Sequence, residues 1–297
     1  MCKSIECLYD SAVEGWLAKT IRGTIGFIKG CFQPGSGKYY FSPRITRVGG
    51  IVSDPAVSYQ EDVCLGGKKV YVLDTSMAEL YSPLELIERV ESCKEKICSI
   101  AREFVEHLPS SDKIGVSGRL SYDPSNARDI DIVVYGQRAG EEVYRALVDL
   151  RDDKVTEPFY GVGRCWSKSD VSLNKLVAEG RVVFGLFRGV EYNVRIVPCI
   201  CPQKCIPRRI AGRRSIVGVI EDNKLSFMTP AYYVVKLHRQ VVVGGLKTRR
   251  IFLVTYRLKY SELPLGLEVE VEGDIELFES TISIVPDHSG YVKPLIL

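Results

Sequence analysis

The 297-residue chain lacks several features that would settle its class at once. No apolar run reaches the ~18 residues that a membrane-spanning helix needs, so no crossing of the bilayer is expected. The opening residues, Met1-Cys2-Lys3-Ser4-Ile5-Glu6-Cys7, hold no apolar signal-peptide core, which predicts an intracellular, cytoplasmic protein. A phosphate-binding P-loop is missing too. Gln33-Pro34-Gly35-Ser36-Gly37-Lys38-Tyr39 resembles one superficially, but Phe32 stands where the motif needs glycine and Tyr39 where it needs Ser or Thr. The segment is therefore expected to be a loop. A structural zinc set is also absent. Of ten cysteines only Cys199, Cys201 and Cys205 crowd together, at spacings that do not suit zinc and with no fourth ligand nearby. Buried thiols or disulfides are expected instead, and disulfides inside a cell fit a hyperthermophilic source.

A large excess of charge of one sign is lacking as well, with 40 Lys or Arg against 37 Asp or Glu. The net charge of +3 is too small to identify a nucleic-acid partner, but its distribution is uneven. Residues 201–250 carry eleven Lys or Arg against two acids, Glu221 and Asp222, whereas 261–280 carry seven acids and no base. Either one face is basic and meets phosphates, or the two sets pair after folding. The remaining composition, 45% apolar and 26% charged, is that of a folded protein with a substantial core.

Length and pattern suggest three parts: a small β-rich domain over 1–78, an α/β core over 79–200 and a β-rich domain over 201–297. Glycine-punctuated alternation over 20–30 reads as short strands. Ser82-Pro83-Leu84-Glu85 reads as a capping box opening one long amphipathic helix. Its stripe is Leu86, Val90, Cys93, Ile97, Ile100, Phe104 and Leu108, and Pro109 ends it. Strands follow over 113–117 and 129–135, then helices over 141–150 and 170–179, then strands over 181–188 and 190–197. Beyond Pro198, about five strands predict a small barrel or split sheet, with OB-like as one form. Leu267-Glu268-Val269-Glu270-Val271-Glu272 alternates strictly, apolar on one face and acidic on the other.

The chemistry-bearing stretch is Ile114-Gly115-Val116-Ser117-Gly118-Arg119, followed by Arg128-Asp129-Ile130-Asp131-Ile132-Val133-Val134-Tyr135. On a strand, Asp129 and Asp131 project to one face while Ile130 and Ile132 enter the core. Two carboxylates one pleat apart repel unless a cation neutralises them, and Mg²⁺ is suited to one or two carboxylates plus phosphate oxygens. The glycine turn before them offers backbone N–H groups to a triphosphate.

This pattern resembles the DNA polymerase β-like nucleotidyltransferase superfamily: a hydrophobic residue, Gly, Ser or Gly, and some ten residues later Asp-x-Asp. More closely, it is similar to archaeal predicted nucleotidyltransferases with a small N-terminal domain and a β-rich C-terminal domain. The resemblance covers roughly 82–198, with a weaker likeness at Phe227-Met228-Thr229-Pro230-Ala231-Tyr232. It implies an α+β fold with a nucleotidyltransferase-type mixed sheet and flanking helices. It also implies a Mg²⁺-dependent enzyme that moves a nucleotidyl group from an NTP to an acceptor hydroxyl, with RNA as a candidate acceptor. Asp129 and Asp131 would be catalytic and metal-binding; Ser117, Gly118, Arg119, Arg128 and Arg195 would line the nucleotide. Three positions depart from the pattern. Arg119 replaces a Ser or Gly, Arg128 replaces a Ser, and Arg195 stands where similar CCA-adding enzymes carry the third carboxylate, with Asn193 and Glu191 on the same strand face. The alternative expectation is thus an inactive nucleotidyltransferase-fold module. It would grip nucleotide or RNA phosphates through arginines, with the basic stretch 208–214 extending that surface.

Overall fold

The computed structural model describes residues 11–46, 54–161, 167–287 and 290–295. The reading of the first seven residues falls outside these. The protein mixes α and β structure, and among the described residues no helix is long and apolar enough to cross a membrane. It divides into two compact units, Met1–Val143 with Ile196–Pro207, and Tyr144–Arg195 with Arg208–Leu297.

In the first unit, a six-stranded sheet is built from β1 (Leu17–Thr20), β2 (Ile25–Ile28), β4 (Lys38–Ile45), β5 (Val57–Asp62), β6 (Lys68–Asp74) and β7 (Ala78–Tyr81). Its order is β5-β6-β4-β2-β1-β7. The short β3 (Phe32–Gln33) leads into a turn in which Lys38 N–H donates to Gly35 O at 3.1 Å, so the glycine-rich segment is the expected turn. Next come α1 (Pro83–Ser92), α2 (Lys96–Glu106), β8 (Ile114–Val116) and β9 (Asp129–Tyr135), with β8 and β9 antiparallel. Trp16, Ile28, Phe41, Leu73, Val133, Tyr135 and Val197 share one core.

The single long helix expected after Ser82 is two. Cys93 leaves helical geometry with ψ 138° and is joined to Cys98, the Cα atoms being 6.0 Å apart. An unbroken helix places residues five apart on different sides of its axis, so the cross-link and a continuous helix exclude each other. Ser82 does cap α1, but its hydroxyl accepts from Leu84 N at 3.3 Å rather than from the third helical residue. Two further disulfides, Cys31–Cys199 and Cys64–Cys205, bind the N-terminal sheet to the returning segment. There β13 (Gln203–Lys204) pairs parallel with β3.

The second unit starts within α3 (Gln137–Asp152) and continues with β10 (Thr156–Glu157), α4 (Lys168–Val177), β11 (Phe184–Phe187) and β12 (Val190–Val197). Ser167 caps α4 in a full capping box with Asp170. Arg188 and Gly189, both with positive φ, make the two-residue turn between β11 and β12.

The rest of this unit is a barrel of β14 (Arg209–Leu225), β15 (Ala231–Val243), β16 (Leu246–Thr255), β17 (Glu268–Phe278) and β18 (Thr281–Val285), with β19 (Tyr291–Pro294) added on β17. The order β14-β15-β16-β18-β17 closes because β14 also pairs with β17; β16 and β18 run parallel. Alternation drives closure. Val269, Val271 and Ile275 point into a core with Ile216, Ile220, Tyr233, Val235 and Leu253, while Glu268, Glu270 and Glu272 stand half-exposed on the other face.

Beside the barrel core lies a buried polar network. Asp170 accepts from Lys259 Nζ at 2.7 Å and from the Tyr260 hydroxyl at 2.8 Å. Glu262 accepts from the backbone N–H groups of Val182 and Val183. Arg181 donates to Asn174 Oδ1 and to Lys259 O, both at 2.9 Å, and burial pulls its guanidinium down to about 10.

Candidate functional site

The site is built where β8 runs out. Ile114, Gly115 and Val116 are buried, and Gly115 is demanded by packing: a Cβ there would lie 2.5 Å from the carbonyl carbon of Pro83 at the start of α1. Ser117 is buried as well. Its N–H donates to Asp131 O at 2.9 Å, extending the β8–β9 ladder by one rung. Its hydroxyl is committed to Gly15 O at 2.9 Å, so Ser117 is a post that fixes the turn against the N-terminal segment.

Gly118 follows with φ 62° and ψ −159°, a conformation open to glycine and strained for any other residue. A Cβ built there would fall 1.8 Å from Asp131 Oδ2. The Asp131 carboxylate thus occupies the room that glycine leaves, and the turn and the acidic strand form one surface. Ser121 Oγ closes the turn by donating to Gly118 O at 2.8 Å. Arg119 is exposed and reaches Asn126 O at 3.4 Å across the loop.

On β9 the expected alternation holds. Ile130 and Ile132 are fully buried, while Asp129 and Asp131 are partly exposed on the opposite face. Arg128, just before them, is exposed. Tyr135, at the far end of the strand, is buried and donates its hydroxyl to Glu14 O at 2.9 Å, so both ends of the β8–β9 pair are pinned to residues 14 and 15. No local pattern announces those anchors. They are backbone carbonyls about a hundred residues away from the groups they hold.

Ser117, Gly118, Arg119, Arg128, Asp129 and Asp131 therefore lie on one turn-loop-strand segment of the first unit. Arg195 belongs to the second unit, where it is the last residue before β12 passes into the first. It is partly exposed on the β12 face that also carries Glu191 and Asn193, with Tyr192, Val194 and Ile196 buried behind. The donor set of the acidic strand suits a hard divalent cation: two carboxylates on one face, one lodged against a side-chain-free turn.

Among the described residues, the one cysteine-containing cluster of possible metal ligands is not a metal centre. Asp62, Cys64 and Cys205 approach one another, but the two sulfurs are bonded to each other, and Asp62 Oδ1 already accepts from the Tyr40 hydroxyl and Cys64 N–H.

The basic stretch 208–214 is half neutralised, two of its four arginines being paired while Arg209 and Arg214 are exposed. Arg208 pairs with Glu276 at 2.8 Å and Arg213 with Glu272 at 2.7 Å, across the β14–β17 seam. The acidic segment that follows it in sequence has folded back onto it.

No protein-family model matches the chain, and no curated protein matches it.

Proposed function

We propose that the protein is a Mg²⁺-dependent nucleotidyltransferase that moves a nucleotidyl group from an NTP to an acceptor hydroxyl, with RNA as a candidate acceptor. The observation that carries this reading is the fit between Gly118 and Asp131. A turn stripped of its side chain lies against a carboxylate one pleat from a second carboxylate. On this reading the β8–β9 region is part of a nucleotidyltransferase-type sheet. The strand order of the barrel, closed between its first and fourth strands and parallel between its third and fifth, is read as OB-like.

Asp129 and Asp131 would hold Mg²⁺, which when bound supplies charge neutralisation for a triphosphate and favours ionisation of an attacking hydroxyl. The chain's own contribution is placement. Ser117 holds the turn, Gly118 leaves the room that the Asp131 carboxylate fills while its backbone N–H would face a phosphate, and the guanidinium groups of Arg119 and Arg128 would offer planar forks to its oxygens.

Arg195 favours a second reading. A cation at the place where similar enzymes carry a third acid suits a non-catalytic module that binds nucleotide or RNA phosphates without transfer. Calorimetric titration of ATP and CTP into the protein, with and without Mg²⁺, separates the two. The enzyme reading expects metal-dependent binding that Asp131→Asn reduces at least tenfold. Binding that ignores both the metal and that substitution, but falls with Arg195→Ala, supports the module. Absence of binding under all conditions rejects both.

A further inference from the structure

Two turns at one end of the barrel carry apolar side chains into water. Gly244 and Gly245, at φ 57° and 86°, make the two-residue turn between β15 and β16. Val242 before it and Leu246 after it are 51% and 38% exposed. The turn between β17 and β18, Glu279-Ser280, adjoins the first: a Cβ on Gly244 would lie 2.7 Å from Leu277 Cδ1. Phe278, the next residue, is 37% exposed. A single exposed apolar side chain needs no explanation, but three at adjoining turns mark a contact surface.

Positive charge surrounds the first of these turns. No acid occurs between Asp222 and Glu262, while Arg239, Lys247, Arg249 and Arg250 are all exposed. Lys247 lies opposite Val242, and Arg249 shares its face two residues on. Leu246 lies opposite Val243, and Arg250 alternates to that second face. Cations and apolar residues therefore stand on both faces of the hairpin. Glu221 answers Arg250 at 2.5 and 2.9 Å. Among the described residues, no acid lies within ion-pair reach of Arg239, Lys247 or Arg249. Arg209, opposite Leu277 on β14, is exposed too, and Glu279 is the single acid of the two turns.

This distribution suits an end-on approach. A partner lying along one face would leave the aliphatic residue and the cations of the other in water. A plane of anionic lipid headgroups takes all of them at once, with the turns inside the interface and the cations at the phosphates. The strand rises about 10 Å from Leu246 to Arg249. Interfacial segments bury their apolar side chains to a similar depth, ~5–10 Å. The ladder runs to its last pair, Val243 with Leu246, so the hairpin brings its own backbone hydrogen bonds into that region. Nucleic acid fits less well, because residues 239–250 hold no aromatic ring on which a base could stack.

We infer that this end of the barrel is a docking surface for an anionic lipid membrane. Val242, Leu246 and Phe278 enter the interface, and Arg239, Lys247 and Arg249 meet the headgroup phosphates. The attachment is peripheral and needs no membrane-crossing helix. It is independent of the transfer reaction, because every residue it uses belongs to the second unit.

The test is co-sedimentation of the full chain with vesicles of phosphatidylcholine, alone or with about 30% phosphatidylglycerol, between ~50 and ~200 mM KCl. The anionic vesicles should bind the parent about tenfold or more tightly than the neutral ones, and salt should weaken that binding. Each cation at such a surface is worth about fivefold, so Lys247→Ala with Arg249→Ala should cost about tenfold or more. Val242→Ser with Leu246→Ser should cost about fivefold or more although every cation remains. In Leu246→Trp, tryptophan emission should move to the blue on anionic vesicles, which a purely electrostatic contact would not produce. Asp131→Asn should sediment as the parent does even if its metal-dependent nucleotide binding fails, so the two proposals are separable. The substituted barrel side chains are exposed, and matching thermal melts check the fold. Should the serine pair melt early, Leu246→Ser alone serves in its place. The inference is overturned if anionic vesicles do not sediment the parent, if the folded serine variant sediments as the parent does, or if the Leu246→Trp emission stays where it was. A labelled oligouridylate that binds through Lys247 and Arg249 while vesicles do not would reassign these cations to nucleic acid.

Discussion

At the scale of single residues, Gly118 and Asp131 make the sharpest demand. Gly118→Ala adds a methyl group where the Asp131 carboxylate sits and forces a φ of 62° on a residue with a Cβ. The backbone alone costs on the order of 1–3 kcal/mol. The variant should melt lower and lose metal-dependent nucleotide binding even though both acids remain; unchanged calorimetry and melting would contradict the packing described. Asp170 makes a pH-dependent demand. Burial pushes its carboxyl up, but the hydrogen bonds from Lys259, the Ser167 backbone and Tyr260 outweigh burial and hold it below 3.8. Stabilisation from this group is therefore present above pH 3.8 and disappears as pH falls through its folded value. Asp170→Ala strands Lys259 and should cost about 3 kcal/mol near neutrality. In urea melts, the gap between parent and variant should shrink below pH 3.8. Glu262 works the other way: burial raises its carboxyl above 4.5, so its contribution is full below that pH and falls as pH rises.

At the scale of elements, legibility depended on whether the information was local. β9 and β12 lie over the residues expected for them, because Ile130, Ile132 and Val134 on the one and Tyr192, Val194 and Ile196 on the other are buried, and a shift by one residue would turn these apolar sets outward. The acid pair was legible for the same reason: Asp129 and Asp131 interrupt an apolar strand at period two. The break at Cys93 was not legible. The apolar steps through Ile97, Ile100 and Phe104 suit one helix or two, and the choice rests on a covalent link between side chains. Nor could the anchoring of Ser117 by Gly15 be read, since a backbone carbonyl leaves no trace in residue type. The basic stretch 208–214 shows a third kind of gap. Its charges were visible, but their partners on β17 follow only from the closure of the barrel. Ser167 offers a local check. Ser167→Ala removes half of the α4 capping box and should lower stability by about 1 kcal/mol, read as a shift in urea midpoint with an unchanged slope.

At the scale of the whole molecule, the first unit is closed by a return of the chain. Cys31–Cys199 spans 168 residues of sequence and Cys64–Cys205 spans 141. Cross-links over loops this long restrict the unfolded chain most, and losing one typically costs about 2–5 kcal/mol. Cys31→Ser with Cys199→Ser should therefore lower the melting temperature, and reductant should lower it for the parent but less for the variant. Equal melting of parent and variant under oxidising conditions would show that the bond contributes nothing.

The same return has a consequence for how the protein is made. The chain leaves the first unit after Val143 and re-enters it at Ile196, so the 52 residues 144–195 must emerge from the ribosome in between. At about 5–20 residues per second, that is roughly 3–10 s during which the first unit lacks its last segment. Val197 and Cys199 are missing from its core throughout that interval. The acid-bearing β9 strand exists in the nascent chain long before its apolar support is complete, which makes this interval the one in which a nascent-chain chaperone would matter most.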